Sequence, residues 1–430
     1  MHCGHVFSHF IYYTKKDPYK LVSILLYAGC LLTLAMVLVN PDEALKVFIV
    51  STVLAVTVVY KDFRFLLANK RLLILPALML AFGLLQIIWV EMFKESGSAF
   101  SGAYRSYQNG GKVLIFAAIV MVALNCQQTR TLRASIPVNY MVIATGLGLY
   151  GYAGYQLYAI AEMHFISYRV PLGFEHATGT AYALTFIALL ASQALLNLHS
   201  KVRILLYFLH FLLSCAAIVI TQTRAAILVY PVLCIGLFFL HYRHDRKVLL
   251  SSFIAFLVLG TMALIALKPI LEKRYADFER DIYAYSNDNS NTSIGARFAM
   301  QRAGLYTGEM AIWGQSLEQR SLSLTRLANT DSSIRGALLY ANVHLHNEVM
   351  DTFSLKGVIG VALLIAFYAA MLYTAYIFRS PLFLVISGAI IIYGLSDLVL
   401  YAKGEALSSM LSLCVALMLV PDSMREPAND

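Results

Sequence analysis

Runs of about twenty apolar residues, each long enough to cross the roughly 30 Å hydrocarbon core of a bilayer as a helix, recur along most of this chain. The clearest are Leu21 to Val39, Leu72 to Val90, Ala181 to Leu198 and Leu249 to Leu267. Further runs lie at Glu43 to Tyr60, Val113 to Asn125, Val138 to Ile160, Ile204 to Ile220, Ala225 to Leu240, Phe353 to Phe378, Leu382 to Leu395 and Ala406 to Val420. Together they predict about 12 spans. Val113 to Asn125 and Leu382 to Leu395 are short and need tilt, flanking residues or re-entrant geometry to fit. Only 13% of the 430 residues are charged, against about 25% in a soluble domain. The expected fold class is an all-α membrane protein, because in lipid the backbone polar groups must be satisfied within the protein, as a helix satisfies them.

Orientation follows from the connections, since Lys and Arg gather on the cytoplasmic side of spans. Lys15, Lys16 and Lys20 precede the first run; Lys61, Arg64, Lys70 and Arg71, then Arg130 and Arg133, then Lys201 and Arg203, then Arg243, Arg246 and Lys247, then Arg379 fall in alternate connections. With both termini inside, about 16 Lys/Arg and 6 Asp/Glu are cytoplasmic, and about 17 and 18 lie outside. The formal net charge of +9 is then a topology signal and no nucleic-acid footprint. The first twenty residues show no small-residue cleavage site, so the first run is expected to stay as an anchor. Of six cysteines, four fall inside runs, Cys126 at a run end and Cys3 near the N-terminus, which implies no disulfide framework.

The expected organisation is nine spans over 1–267, a non-spanning outer domain over 268–345, three more spans over 346–421 and a cytoplasmic tail over 422–430. Within the outer domain, Ser293 to Trp313 carries Ile294, Phe298, Leu305 and Ile312 at helical spacing, with Ser293 as a candidate N-cap. Gly304 and Gly308, four apart on that helix, would admit a close neighbour. Two shorter outer loops are expected, Glu91 to Lys112 with Arg105, and Glu162 to Thr180 with His164, Arg169, Glu175 and His176.

Once topology accounts for the inner charges, the outer arginines Arg105, Arg169, Arg224, Arg297, Arg302 and Arg335 stand out. Arginine grips phosphate in a forked geometry and keeps its charge. The plainer alternative is solvated side chains pairing with Asp277, Glu279 and Asp281. Arg224 lies between two apolar runs, where a charge is costly without a partner or water. His346 stands where the outer domain returns to the membrane, and a histidine suits general-base work near neutral pH; the alternative is an interfacial residue that only caps a helix. His344 and His346 are half of a metal site, but no Cys or carboxylate at ligand spacing completes it and HExxH is absent. Asp42 and Glu43, after Pro41, are the nearest thing to an acidic pair for a divalent ion.

Three blocks then point to a family. Thr221 to Leu228 reads TQTRAAIL; the stretch SIGARFAMQRAGLYTGEMAIWGQS begins at Ser293; His346 to Gly360 reads HNEVMDTFSLKGVIG. In this order, with the outer domain between the first and third, they make the chain resemble the bacterial O-antigen ligase family, within a wider group that includes O-antigen polymerases and protein O-oligosaccharyltransferases. Where the family usually has an acidic residue before the first glycine of the third block, this chain has Ser354, Leu355 and Lys356.

The resemblance implies a metal-independent, multi-span glycosyltransferase of the bacterial inner membrane, with no cofactor and its active site facing the periplasm. It would transfer polysaccharide from undecaprenyl diphosphate to lipid A-core oligosaccharide, with inversion. His346, Arg224 and Arg297 would be catalytic: His346 as base, the two arginines on the diphosphate. Arg105, Arg169, Asn347 and Arg302 would bind substrate. The alternatives are a polymerase using the same donor, and, from another class, a flippase of lipid-linked sugars, which needs polar residues along a path through the membrane centre. A scaffold without catalysis is a further one.

Overall fold

The computed structural model describes residues 18–162, 169–287 and 289–420. The expectations placed on Cys3, Lys15, Lys16, His164 and the tail after Val420 lie outside the described residues. The chain is an all-α membrane protein. Its main helices are α1 (Pro18–Met36), α2 (Pro41–Ala68), α3 (Ile74–Phe93), α4 (Ser101–Leu124), α5 (Ile136–Glu162), α6 (Ala177–Leu196), α7 (Arg203–Val219), α8 (Arg224–His241), α9 (Arg246–Ser286), α10 (Ser293–Met310), α11 (Leu317–Thr330), α12 (Glu348–Ile377), α13 (Pro381–Gly394) and α14 (Lys403–Met418). Each predicted apolar run falls on a helix, and among the described residues seven helices are long and apolar enough to cross a bilayer by themselves. The expected dozen spans is therefore not the number that length and composition of the helices establish. At the centre stands α6, which is buried all round by its neighbours and carries no charged residue.

Two boundaries differ from the sequence reading. The short run Val113 to Asn125 is the second half of α4, which begins at Ser101 and has 24 residues; it needs no re-entrant geometry. Its first half hides from a hydropathy count because the buried positions there are Ala103, Tyr104, Tyr107, Gly110 and Gly111. The glycines let backbones touch: a Cβ on Gly111 would lie 2.8 Å from the carbonyl of Gly83 in α3, and one on Gly110 would collide with the carbonyls of Leu400 and Tyr401. Arg105 consequently sits on a helix instead of a loop. The second difference is α9, 41 residues without a break through position 268. At 1.5 Å per residue it is about 60 Å long, about twice the hydrocarbon thickness.

The non-spanning domain closes around Ala296, Ala299, Met300, Ala303, Leu324, Ile334, Ala337, Ala341 and Leu345. Thr292 caps α10 by accepting from the Gly295 N–H, the role expected of Ser293 one residue on. Gly304 and Gly308 face α12: a Cβ on Gly304 would lie 3.0 Å from that of Met350, and one on Gly308 would run into the ring of Phe353. A second apolar cluster, including Trp89, Tyr104, Tyr107, Leu317, Leu355 and Tyr401, joins this domain to α3, α4 and α12.

That joint depends on a break in α12. Gly357 has φ 61°, ψ −158°, a region that essentially only glycine occupies. The opened backbone pairs with the segment after α10: the Val358 N–H donates to the Ile312 carbonyl at 3.0 Å, and the Gln315 N–H to the Leu355 carbonyl at 2.9 Å. A Cβ on Gly357 would collide with the Ile312 carbonyl. Gly357→Ala is therefore expected to cost at least about 1–3 kcal/mol in backbone strain alone. Gly148→Ala, a helical site with open space around it, should cost nothing or gain up to about 1 kcal/mol. Thermal inactivation of the two purified variants checks this, and equal half-lives would refute the assigned role of Gly357.

Candidate functional site

Between the start of α2, the start of α6, the first half of α4 and the 395–405 segment lies a cavity of about 1000 Å³. Its wall carries both signs of charge: Arg105, Arg169 and Lys403 on one hand, Asp42, Glu175, Asp397 and Glu405 on the other, with His176, Tyr182, His344 and His346.

His346 is placed there by its neighbours. Its backbone has φ 46°, an uncommon conformation for a residue with a side chain, so adjacent groups must hold it. On one side the Leu345 N–H donates to Asp351 Oδ1 at 3.1 Å. On the other, Asn347 caps α12, its Oδ1 accepting from the Val349 and Met350 N–H groups at 3.1 and 3.0 Å, while its Nδ2 donates to the Leu395 carbonyl at 3.0 Å. Asn347 is buried, and its side chain serves this cap.

Asp397, in the link between α13 and α14, meets both histidines. His346 Nδ1 lies 2.8 Å and His344 Nε2 3.3 Å from its Oδ1, and the Leu398 N–H donates to the same oxygen at 2.9 Å. Burial pushes the Asp397 carboxyl up, but the hydrogen bonds and charges of the two imidazoles outweigh this and hold it well below the usual carboxylate range. An ionised Asp397 accepts the proton of Nδ1, which leaves Nε2 of the neutral ring as a lone-pair acceptor. The sequence has no carboxylate at ligand spacing from the pair; the fold supplies one from a distant segment. Asp397 is 51 residues beyond His346, and no local spacing signals it.

The arginines separate by environment. Arg169 spans to the TQTR block: its Nε donates to the Thr221 carbonyl at 3.2 Å, and its Nη2 to the hydroxyls of Thr223 and Thr178 at 3.2 and 3.3 Å. Arg224, next to Thr223, is the first residue of α8 and is exposed; it stands at the end of a helix and not within an apolar stretch, which removes the burial cost. Arg105 lines the cavity directly. Arg297 is exposed on α10, close enough to interact electrostatically with the Tyr182 hydroxyl in the cavity wall. Arg302 is engaged within its own domain, at 2.6 Å from Ser333 Oγ and 3.3 Å from Asp331, and Arg335 donates to the Ala328 carbonyl. Asp42 and Glu43 are in the first turn of α2, paired with Lys403 and Lys46.

Behind the histidine segment lies a polar network that hydropathy cannot reveal. Arg320 and Asp351, 0% and 1% exposed, pair at 2.7 Å; the Tyr107 hydroxyl donates to Asp351 at 2.5 Å; Arg320 also donates to the Val343 carbonyl at 3.3 Å. Lys356, which stands in the stretch where an acid was expected, is buried over the rings of Trp89 and Tyr107 at 5.0 and 4.4 Å. The nearby carboxylates are Asp351, three residues before Ser354, and the buried Glu348.

Comparison with known proteins agrees with the three blocks. The sequence profile described as O-antigen ligase matches residues 209–365. An O-antigen ligase of Escherichia coli (strain K12) is 30% identical over 422 residues, covering 97% of each chain. An uncharacterized protein of Haemophilus influenzae is 23% identical over 270 residues, 61% of this chain and 64% of that one. With both extent and identity at this level, the chain belongs to the O-antigen ligase family.

Proposed function

We propose that this protein transfers polysaccharide from undecaprenyl diphosphate to a hydroxyl of lipid A-core oligosaccharide at the periplasmic face of the inner membrane, without a metal. The observation that carries the reading is the Asp397–His346 pair in the wall of a cavity that also holds Arg105 and Arg169, in a chain of this family. His346 Nε2 takes the proton of the acceptor hydroxyl as its oxygen attacks the anomeric carbon, and Asp397 keeps the ring in the required tautomer and steadies the imidazolium that forms. The bond to the diphosphate breaks as the new glycosidic bond forms, which inverts the anomeric centre.

The leaving group departs as a diphosphate and needs positive charge held in place. Arg169, bonded to Thr221 and Thr223, holds the turn from which Arg224 begins α8, and the N-terminus of that helix adds its unpaired N–H groups and dipole there. Arg105 and Arg169 line the cavity, whereas Arg224 and Arg297 lie outside its lining and would reach the diphosphate from its rim. Lysine cannot reproduce the forked contact, so Arg169→Lys and Arg224→Lys should each lower kcat/KM about 10–100-fold, the range for losing a charge-assisted hydrogen bond. In a transfer assay with purified protein and chelator, lipid A-core should gain polysaccharide. Growth of the lipid-linked chain in place of that product would mean a polymerase. Product formation unchanged in both arginine variants would remove the diphosphate site from this turn.

A further inference from the structure

The groups that make the base also have the composition of a transition-metal site. Among the described residues, His344, His346 and Asp397 each offer a ligand atom, and these atoms all lie within 4.8 Å of one another. A tetrahedral ion with bonds of about 2.1 Å wants its ligands roughly 3.4 Å apart. The distances to Asp397 Oδ1 here are 3.3 Å from His344 Nε2 and 2.8 Å from His346 Nδ1, so small rotations of the rings suffice. All three side chains line the cavity, which leaves the fourth position to water. Two imidazoles and one carboxylate favour zinc-class ions; magnesium and calcium want oxygen ligands.

We propose that a zinc-class divalent ion binds His344, His346 and Asp397 and switches transfer off. The inference rests on the ligase reading for its consequence but not for its geometry. The ion would occupy the space between Nδ1 of His346 and Asp397, where the ring proton of the active tautomer lies. Once Nδ1 holds metal, the single proton of the neutral ring sits on Nε2, so the nitrogen that accepts a proton from the acceptor becomes a donor. Asp397 at the same time spends its charge on the ion. The site is suited to reversible occupation: a zinc-binding histidine normally anchors its other nitrogen on a hydrogen-bond partner, and Nδ1 of His344 has no such partner among the described residues.

The test is equilibrium dialysis of chelator-stripped full-length protein in detergent against zinc chloride, with His344→Gln, His346→Ala and the isosteric Asp397→Asn beside wild type. Each variant is taken forward only as a monodisperse size-exclusion peak. One zinc ion per wild-type chain, with affinity lowered more than tenfold in every variant and unaffected by a thousandfold excess of magnesium, supports the site. So does wild-type transfer that falls as zinc is added and returns with chelator. Zinc binding equal in wild type and all three variants overturns it, and directs attention to the His2, Cys3, His5 and His9 tract; so does zinc bound at the site with transfer unchanged. If stripped wild type shows no transfer, the ligase reading fails by itself, while the dialysis result still upholds or overturns the metal site.

Discussion

Replacing His346 with alanine is expected to lower transfer to lipid A-core by about 10²–10⁴-fold, the usual contribution of a positioned general base. Asp397→Asn should fall in the same range although it leaves the imidazole of His346 in place. An asparagine amide can present N–H to Nδ1; the ring then carries its proton on Nε2, the wrong nitrogen for taking one from the acceptor. Donor binding should change little in either variant, because the positive groups remain, so the loss should appear in kcat with KM for the lipid-linked donor nearly constant. Single-turnover transfer on vesicle-reconstituted protein measures this. A His346→Ala enzyme within tenfold of wild type would move the base to another residue, and Asp397→Asn alone at wild-type rate would leave His346 acting without an orienting carboxylate.

The second large effect is on stability. Arg320→Ala should cost about 3–5 kcal/mol, since it strands the Asp351 carboxylate in a site where both partners are buried. Replacing both members by apolar side chains, Arg320→Met with Asp351→Leu, removes the stranded charge and should cost markedly less than the two single changes added together. The half-life of the monodisperse protein at elevated temperature reads the order. The arginine also ties the membrane to the chemistry: Asp351 holds the Leu345 N–H beside the strained His346, so Arg320→Ala should lower transfer even in the fraction that stays folded. A single variant as long-lived as wild type would show the pair to be dispensable.

The membrane helices were legible because lipid imposes one simple rule, an unbroken apolar stretch, on Leu21 to Val39 as on Ala181 to Leu198. Where burial is supplied by protein instead of lipid, the rule fails. The first half of α4 uses tyrosines and glycines against other helices, so it read as a loop and Arg105 with it. His346, Arg105 and Arg169 could be singled out as unexplained polar residues near span ends, and all three line one cavity. Asp397 could not: it closes a contact across 51 residues, and one aspartate after an apolar run resembles any turn. Arg320 and Asp351 were silent for a related reason, because each looks like ordinary loop or interface charge until its partner is placed. Asn347, singled out for substrate, has its Oδ1 engaged by the start of α12 and its Nδ2 by the Leu395 carbonyl.

The chain contains two tryptophans, and their settings differ. The indole of Trp89 is 4% exposed, donates its Nε1–H to the Gln315 carbonyl at 3.0 Å and lies beneath the Lys356 ammonium; Trp313 is 78% exposed. With Trp313 replaced by phenylalanine, the tryptophan emission, excited selectively over that of the tyrosines, would come from Trp89 alone, at the seam where the non-spanning domain sits on α3 and α4. The protein thus carries an intrinsic optical probe of that seam, able to follow its opening or closing during a reaction cycle without an attached dye.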